Sequence, residues 1–159
     1  MAEGAFCINY GICIIYILSK KSMKKVLVLC TGNSCRSQMV EGFLSSFGLD
    51  VQSAGVESHG LDPYAVKVMM ELNIDISENT SKKINSLNLN YFDILITVCD
   101  HAKETCPNII QIKTKIHQSF IDPAISIESD DEKIFIYRKV RDQISIFCSH
   151  FLNQYCDLK

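Results

Sequence analysis

Val26-Leu27-Val28-Leu29-Cys30-Thr31-Gly32-Asn33-Ser34-Cys35-Arg36-Ser37 decides the fold. Its first four residues are apolar, rich in β-branched side chains and without polar alternation, as in a strand covered on both faces of a parallel sheet. A polar turn follows at once. Met39, Val40, Phe43, Leu44 and Phe47 then recur at helical spacing until Gly48 ends the run. Strand, tight turn and helix in direct succession are the opening of a βαβ unit.

Working outward, Val51-Gln52-Ser53-Ala54 reads as a second strand ending at Gly55. Asp62-Pro63 opens a helix, with Asp62 as cap and Pro63 in the first turn. Ala65, Val66, Val68, Met69, Met70 and Leu72 give that helix an apolar face. Thr80 to Leu87 reads as a short helix, Phe92 to Val98 as a third buried strand and Ile109-Ile110-Gln111-Ile112 as a fourth. A long amphipathic helix is expected over 129–155, where Ile136, Val140, Ile144, Phe147 and Phe151 recur at helical spacing. The expected class is therefore α/β, a three-layer fold with a central four-stranded parallel sheet and helices on both faces. Right-handed crossovers put Cys30, Cys99 and the stretch after Ile112 at the sheet's carboxyl edge, where such sheets bind ligands.

The 159 residues fit one domain, expected over 23–159. A hydrophobic fraction of 47% excludes a disordered chain. A net charge of −2 argues against a nucleic-acid partner, so a bound anion would be held locally. Residues 1–22 are expected to form an amino-terminal extension, disordered or foreign to the native fold. The apolar run from Ala5 to Leu18 is shorter than the ~20 residues of a stable membrane span, and Glu3 stands where a secretory signal would be basic. Of the eight cysteines, Cys7, Cys13, Cys148 and Cys156 lie among apolar residues and read as packing or tail residues. Cys30, Cys35, Cys99 and Cys106 occupy polar, turn-like positions. His59, His101, His117 and His150 show no metal-like grouping and read as loop, surface or packing residues.

Cys30 to Ser37 is a Cys-x5-Arg loop. A short turn entering a helix directs successive N–H groups inward, a nest for a tetrahedral oxyanion. Thr31, Gly32, Asn33, Ser34, Cys35, Arg36 and Ser37 would line it. Gly32 would allow the tight backbone, and Asn33 tolerates a left-handed conformation. Arg36 offers a planar fork for two oxyanion oxygens. Cys30, facing a helix dipole and Arg36, is expected to ionise more easily than a free thiol, with Ser37 donating a hydrogen bond to it. A merely structural strand-to-helix turn would also fit Cys-x5-Arg, but not the Gly, Asn and Ser placed within it.

Cys30 to Glu41, CTGNSCRSQMVE, closely resembles the signature of thioredoxin-coupled arsenate reductases, which share the low-molecular-weight tyrosine phosphatase fold. The resemblance runs from about Met23 to the end of the chain, through Ser53 to Gly60, Val98-Cys99-Asp100 and Phe120 to Ala124. Asp122-Pro123 could be a plain turn on spacing alone; the resemblance implies that Asp122 is the general acid. Cys99 and Cys106, seven residues apart, would share a helical face about 10 Å apart, beyond the ~7 Å limit for a disulfide. A pair of buried thiols is the plain alternative, and a zinc site would need closer spacing and more ligands. The resemblance implies a relay: Cys30 attacks arsenate, Cys99 attacks Cys30, Cys106 attacks Cys99, and a thioredoxin-like protein reduces the last disulfide.

Cys35 is then given a packing or protective role. No cofactor or metal is expected; phosphate is the expected competing oxyanion, and the chain is expected to be a cytoplasmic monomer. Some relatives hold potassium at positions matched by Asn33, Glu41 and Ser53, but Lys82 stands at the remaining carboxylate position, so no potassium dependence is expected. The alternative is a tyrosine phosphatase working through a phosphocysteine. Against it, Gln38 stands where phosphatases usually have Pro, and Ala124 where an aromatic after Asp-Pro would grip a phenyl ring. A non-enzymatic oxyanion or redox sensor would have no need of Asp122.

Overall fold

Because β1 (Lys25–Cys30) is apolar on both faces, it takes an inner place in the sheet. The computed structural model describes residues 24–105, 109–125 and 129–155. Four parallel strands lie in the order β2 (Asp50–Gly55), β1, β3 (Ile94–Thr97), β4 (Thr114–His117). Val26 is level with Val51 on one side and Ile94 on the other, and Cys30 with Gly55. The chain leaves β1 for β2 on one side and returns to β3 on the other. That reversal opens a crevice beyond the carboxyl ends of β1 and β3.

Alternate residues of β1 serve two cores. Val26, Val28 and Cys30 pack with α1 (Arg36–Ser46), α2 (Pro63–Met70) and the long α4 (Asp130–Tyr155). Leu27 and Leu29 pack on the opposite face with Ile84, Phe92, Leu95, Ile109 and Ile112. Single 3₁₀ turns, Ile84–Ser86 and Leu89–Tyr91, help cover that second face. The short helix expected over 80–87 is thus reduced to one such turn. α3 (Asp100–Thr105) lies against the ends of β1 and β3.

Local chemistry sets the helix ends. Gly48, at φ +83°, follows α1, and Leu49 N–H returns to Leu44 O at 3.2 Å. Asp62 caps α2, its Oδ1 accepting from the N–H groups of Tyr64 and Ala65. On α4 the buried stripe is Ile134, Tyr137, Val140, Ile144, Cys148 and Phe151, whereas Ile136 and Phe147 stand at its margin.

The fourth strand is not Ile109–Ile112, as the apolar run suggested, but Thr114–His117 downstream. Ile109 and Ile112 are buried beneath the second face while Ile110 is 81% exposed, a turn rather than a strand. β4 is an edge strand only partly covered, and its Thr-Lys-Ile-His sequence carries little apolar signal. Cys7, Cys13, Cys106, Cys156 and residues 1–22 lie outside the described residues. No helix among the described residues is long and apolar enough to cross a membrane.

Candidate active site

β1 delivers Cys30 to the crevice, and α1 begins at Arg36 with only a five-residue loop between. That loop is held from outside by its carbonyl groups. Cys30 O accepts from Val56 N–H, Thr31 O from Glu57, Gly32 O from His59 and Ser34 O from Asp62. With the carbonyls turned outward, the N–H groups turn inward, as a nest requires. No side chain caps the start of α1, so the helix end is open to an anion. Asn33 has φ 48°, the left-handed conformation expected of it. Its N–H donates to Cys30 Sγ at 3.1 Å, and Ser37 Oγ lies 2.9 Å from the same sulfur.

Gly32 serves differently from expectation. Its φ is not positive; a Cβ there would sit 2.4 Å from His59 Nδ1, so glycine permits the close approach of that ring. His59 is in turn tied to Glu57 at 2.7 Å.

Behind the nest runs a chain of buried polar groups. Asn33 Nδ2 donates to Ser37 Oγ (3.0 Å) and Ser53 Oγ (2.7 Å), while Asn33 Oδ1 accepts from Lys82 N–H (2.8 Å). Ser53 donates to the Glu41 carboxylate through both its N–H and its hydroxyl. Gln38, fully buried, donates to Asn33 O and Thr80 O and accepts from Asn79. Nothing in the sequence marked Gln38 as a bracket for the loop. The Asn33–Ser53–Glu41 group is closed by its own hydrogen bonds: Asn33 turns its amide nitrogen toward Ser53, and its oxygen accepts from Lys82 N–H. Among the described residues, no three His, Cys, Asp or Glu gather as metal ligands.

The direction in which Cys30 is shifted departs from expectation. Burial pushes its thiol up from the ordinary value, against the opposing hydrogen bonds of Ser37 and Asn33. Cys99 adds to the rise, and Arg36 is the least of the influences. Arg36 is turned away: Nη1 donates to Phe120 O at 3.0 Å and Nη2 to Asp122 Oδ2 at 2.6 Å. Cys35 is buried, and burial together with Asp62 and Asp122 pushes its thiol well up.

Thr31, Arg36, Cys99, Phe120, Asp122 and Ile125 line an open cleft of about 500 Å³ at the carboxyl edge. The structure thus brings together Cys30, Arg36, Asp122 and Cys99; the position of Cys106 is outside the described residues. Cys99 is buried between β3 and α3, its Sγ 3.4 Å from Thr31 Oγ1. Beside it lies a group that sequence patterns did not single out. Asp100 accepts from His117 Nε2 at 3.0 Å and from Ser119 Oγ at 3.1 Å, and His117 Nδ1 lies 2.8 Å from Thr97 Oγ1. The pair Thr97 and Asp100 meets the pair His117 and Ser119 across a long stretch of chain, so no local spacing links the two pairs.

A thiol ending a buried parallel strand, an anion nest and an arginine entering the next helix define an oxyanion-handling enzyme of the cysteine-phosphatase type. Residues 25–156 match the family model of low molecular weight phosphotyrosine protein phosphatases, and the chain belongs to that family. Within it, similar relatives are arsenate reductases. The one from Halalkalibacterium halodurans is 47% identical over 124 residues, covering 76% of this chain and 89% of the relative. That from Oceanobacillus iheyensis is 44% identical over 126 residues, covering 77% and 91%. A solved structure of an arsenate reductase in its phosphate-binding state superposes with a TM-score of 0.67 at 32% identity, covering 83% of this chain and 98% of that one.

Proposed function

We propose that the chain is an enzyme that reduces arsenate to arsenite, and that it does so through a three-cysteine relay. The observation that carries the relay is a second thiol, Cys99, built into the wall of the nest beside Thr31. Hydrolysis of a phosphate ester through Cys30 has no use for it.

The steps follow from the charges. An arriving oxyanion competes with Asp122 for the Arg36 fork, a bidentate match. Cys30 attacks arsenic as its thiolate, its proton passing to the Asp122 carboxylate that Arg36 has released, while the turned guanidinium offsets the negative charge that burial penalises. Asp122, freed from Arg36, protonates the departing oxygen, which leaves as water. Cys99 then attacks Cys30 Sγ. The sulfur–sulfur bond forms, the sulfur–arsenic bond breaks, and its electron pair stays on arsenic, which leaves as arsenite. Cys106 attacks Cys99, releasing the Cys30 thiolate and moving the disulfide to Cys99–Cys106. A thioredoxin-like dithiol in the reducing cytoplasm removes that disulfide by exchange. The enzyme acts as a monomer, phosphate competes for the nest, and the steps call on no further cofactor.

Hydrolysis of aryl phosphates is the second reading, because the nest, Arg36 and Asp122 would serve phosphate equally. Aliphatic Ile121 and Ile125, 74% and 76% exposed, flank Asp122 where that reading wants an aromatic grip. Thioredoxin-coupled NADPH consumption with arsenate and hydrolysis of an aryl phosphate, each in wild type and Cys99→Ser, separate the two. The reductase loses the first activity in the variant and keeps any of the second. Arsenate turnover surviving in Cys99→Ser sinks the relay.

A further inference from the structure

The relay proposed above, on which this inference rests, asks Cys99 to leave a buried place and meet two other sulfurs in turn. α3 stands in the way. It fills the interval between Cys99 and Cys106, six residues or about 9 Å of helix. A helix this short has no stability of its own; isolated helices need about 12–15 residues. Its persistence depends on what ties it down. Ala102 is buried in the core, and Asp100, the first residue, makes two polar ties to the end of β4 and the chain just beyond it.

Asp100 uses both carboxylate oxygens. Oδ1 takes Nε2 of His117, at the end of β4, and Oδ2 takes Ser119 Oγ just beyond. The His117 ring is itself fixed at Nδ1 by Thr97, the last residue of β3. The two strands are hydrogen-bonded neighbours, with Thr97 level with His117. The helix start is therefore roped to the carboxyl ends of β3 and β4, and the rope is attached to the residue next to Cys99. Both hydrogen bonds, His117 first, hold the Asp100 carboxyl below the usual carboxylate range, so it is fully charged near neutrality. Its side chain is 73% exposed, so it fills no core space whose loss would confuse its removal.

We propose that Asp100 is a positioning residue, a latch that holds Cys99 and α3 in the resting arrangement through His117 and Ser119 and must let go before the disulfide can pass to Cys99–Cys106. The latch keeps the second thiol from reacting until the first bond to substrate has formed. It also restrains the segment that the reductant must reach.

The test is the rate at which iodoacetamide alkylates each thiol of the reduced, arsenate-free protein, assigned by mass spectrometry. Two exposed polar contacts of modest worth correspond to about a fivefold change in opening. Asp100→Ala should alkylate Cys99 about fivefold faster than wild type, and Ser119→Ala, which removes one contact, by a smaller factor. Cys35 and Cys148, both buried and neither tied to Asp100, should keep their wild-type rates in each variant. Unchanged labelling of Cys99 in both variants overturns the latch, and so does a parallel rise at Cys35 and Cys148, which would mean general loosening. If Asp100→Ala does not fold, Ser119→Ala and His117→Gln each cut one of the same two ties, and unchanged Cys99 labelling in that pair overturns the latch equally. A failure of the relay itself would appear elsewhere, as absent arsenate turnover in wild type.

Discussion

A single sulfur shows how burial and charge compete. Cys30 has a hydrogen bond from Asn33 N–H, a hydroxyl at 2.9 Å and a helix start behind it, yet burial outweighs them and its thiol is held up. In the protein without anion, the 240 nm thiolate absorbance lost in Cys30→Ser should therefore titrate above the range of a free thiol. The sign follows because burial penalises the charged form; a midpoint below that range would show that the nest alone ionises the sulfur. The loop that holds Cys30 and the left-handed Asn33 were legible in the sequence, since each depends on local chain chemistry. It could not show that Arg36 rests on Asp122, because that partner arrives from 86 residues away. Gly55 gives a second test. A Cβ there would lie 2.2 Å from Glu57 O and 2.7 Å from Thr31 O, both backbone atoms that cannot swing aside. Gly55→Ala should lower oxyanion turnover at least tenfold, whereas Gly32→Ala meets only the half-exposed His59 ring, a side chain that can swing aside by giving up its bond to Glu57. Steady-state assays of the two variants, with equal losses, would show that the nest is not braced at Gly55.

Elements were legible where one pattern governed them and illegible where cover was partial. β1, β2, β3 and the helices after Asp62 and Ser129 announce themselves by continuous or periodic apolar residues. β4 does not, since an edge strand need not be apolar, and Ile109 and Ile112 drew attention to a turn instead. Ion pairs joining helices are hidden for a further reason: they cross long sequence separations. Glu71, at the end of α2, accepts from Arg138 Nε and Nη2 and from Arg141 Nη1 on α4. Arg138 chiefly, with Arg141, holds the Glu71 carboxyl down to about 2. A carboxylate whose folded value lies below its unfolded one stabilises above the unfolded value, near 4.5, and loses that contribution as pH falls through about 2. Its side chain is 31% exposed, so screening trims the effect to about 1–2 kcal/mol. Urea unfolding of Glu71→Gln should show that deficit at pH 6, narrowing steadily below pH 4.5. A deficit independent of pH would mean that packing, not charge, joins α2 to α4.

At the scale of the molecule, the topology places one thiol at the end of β1 and another at the end of β3, the two strands whose connection reverses direction. That strand order brings together the first two sulfurs of the proposed relay, and the crevice beyond the strand ends is where the proposal seats the oxyanion. The proposed third sulfur, Cys106, follows α3 in the chain, so on that reading the electrons leave the crevice only if the helix opens. Removing the third thiol isolates this step. In Cys106→Ser, the first two sulfurs still act, so one arsenate is reduced per molecule and the protein halts as a Cys30–Cys99 disulfide held away from the partner. Rapid mixing with arsenate should give a burst of about one arsenite per enzyme, followed by a steady rate at least a hundredfold below wild type with thioredoxin present. Peptide mapping should find the 30–99 linkage. Sustained turnover by Cys106→Ser would mean that thioredoxin reaches the inner disulfide directly, and that opening α3 is no part of the cycle.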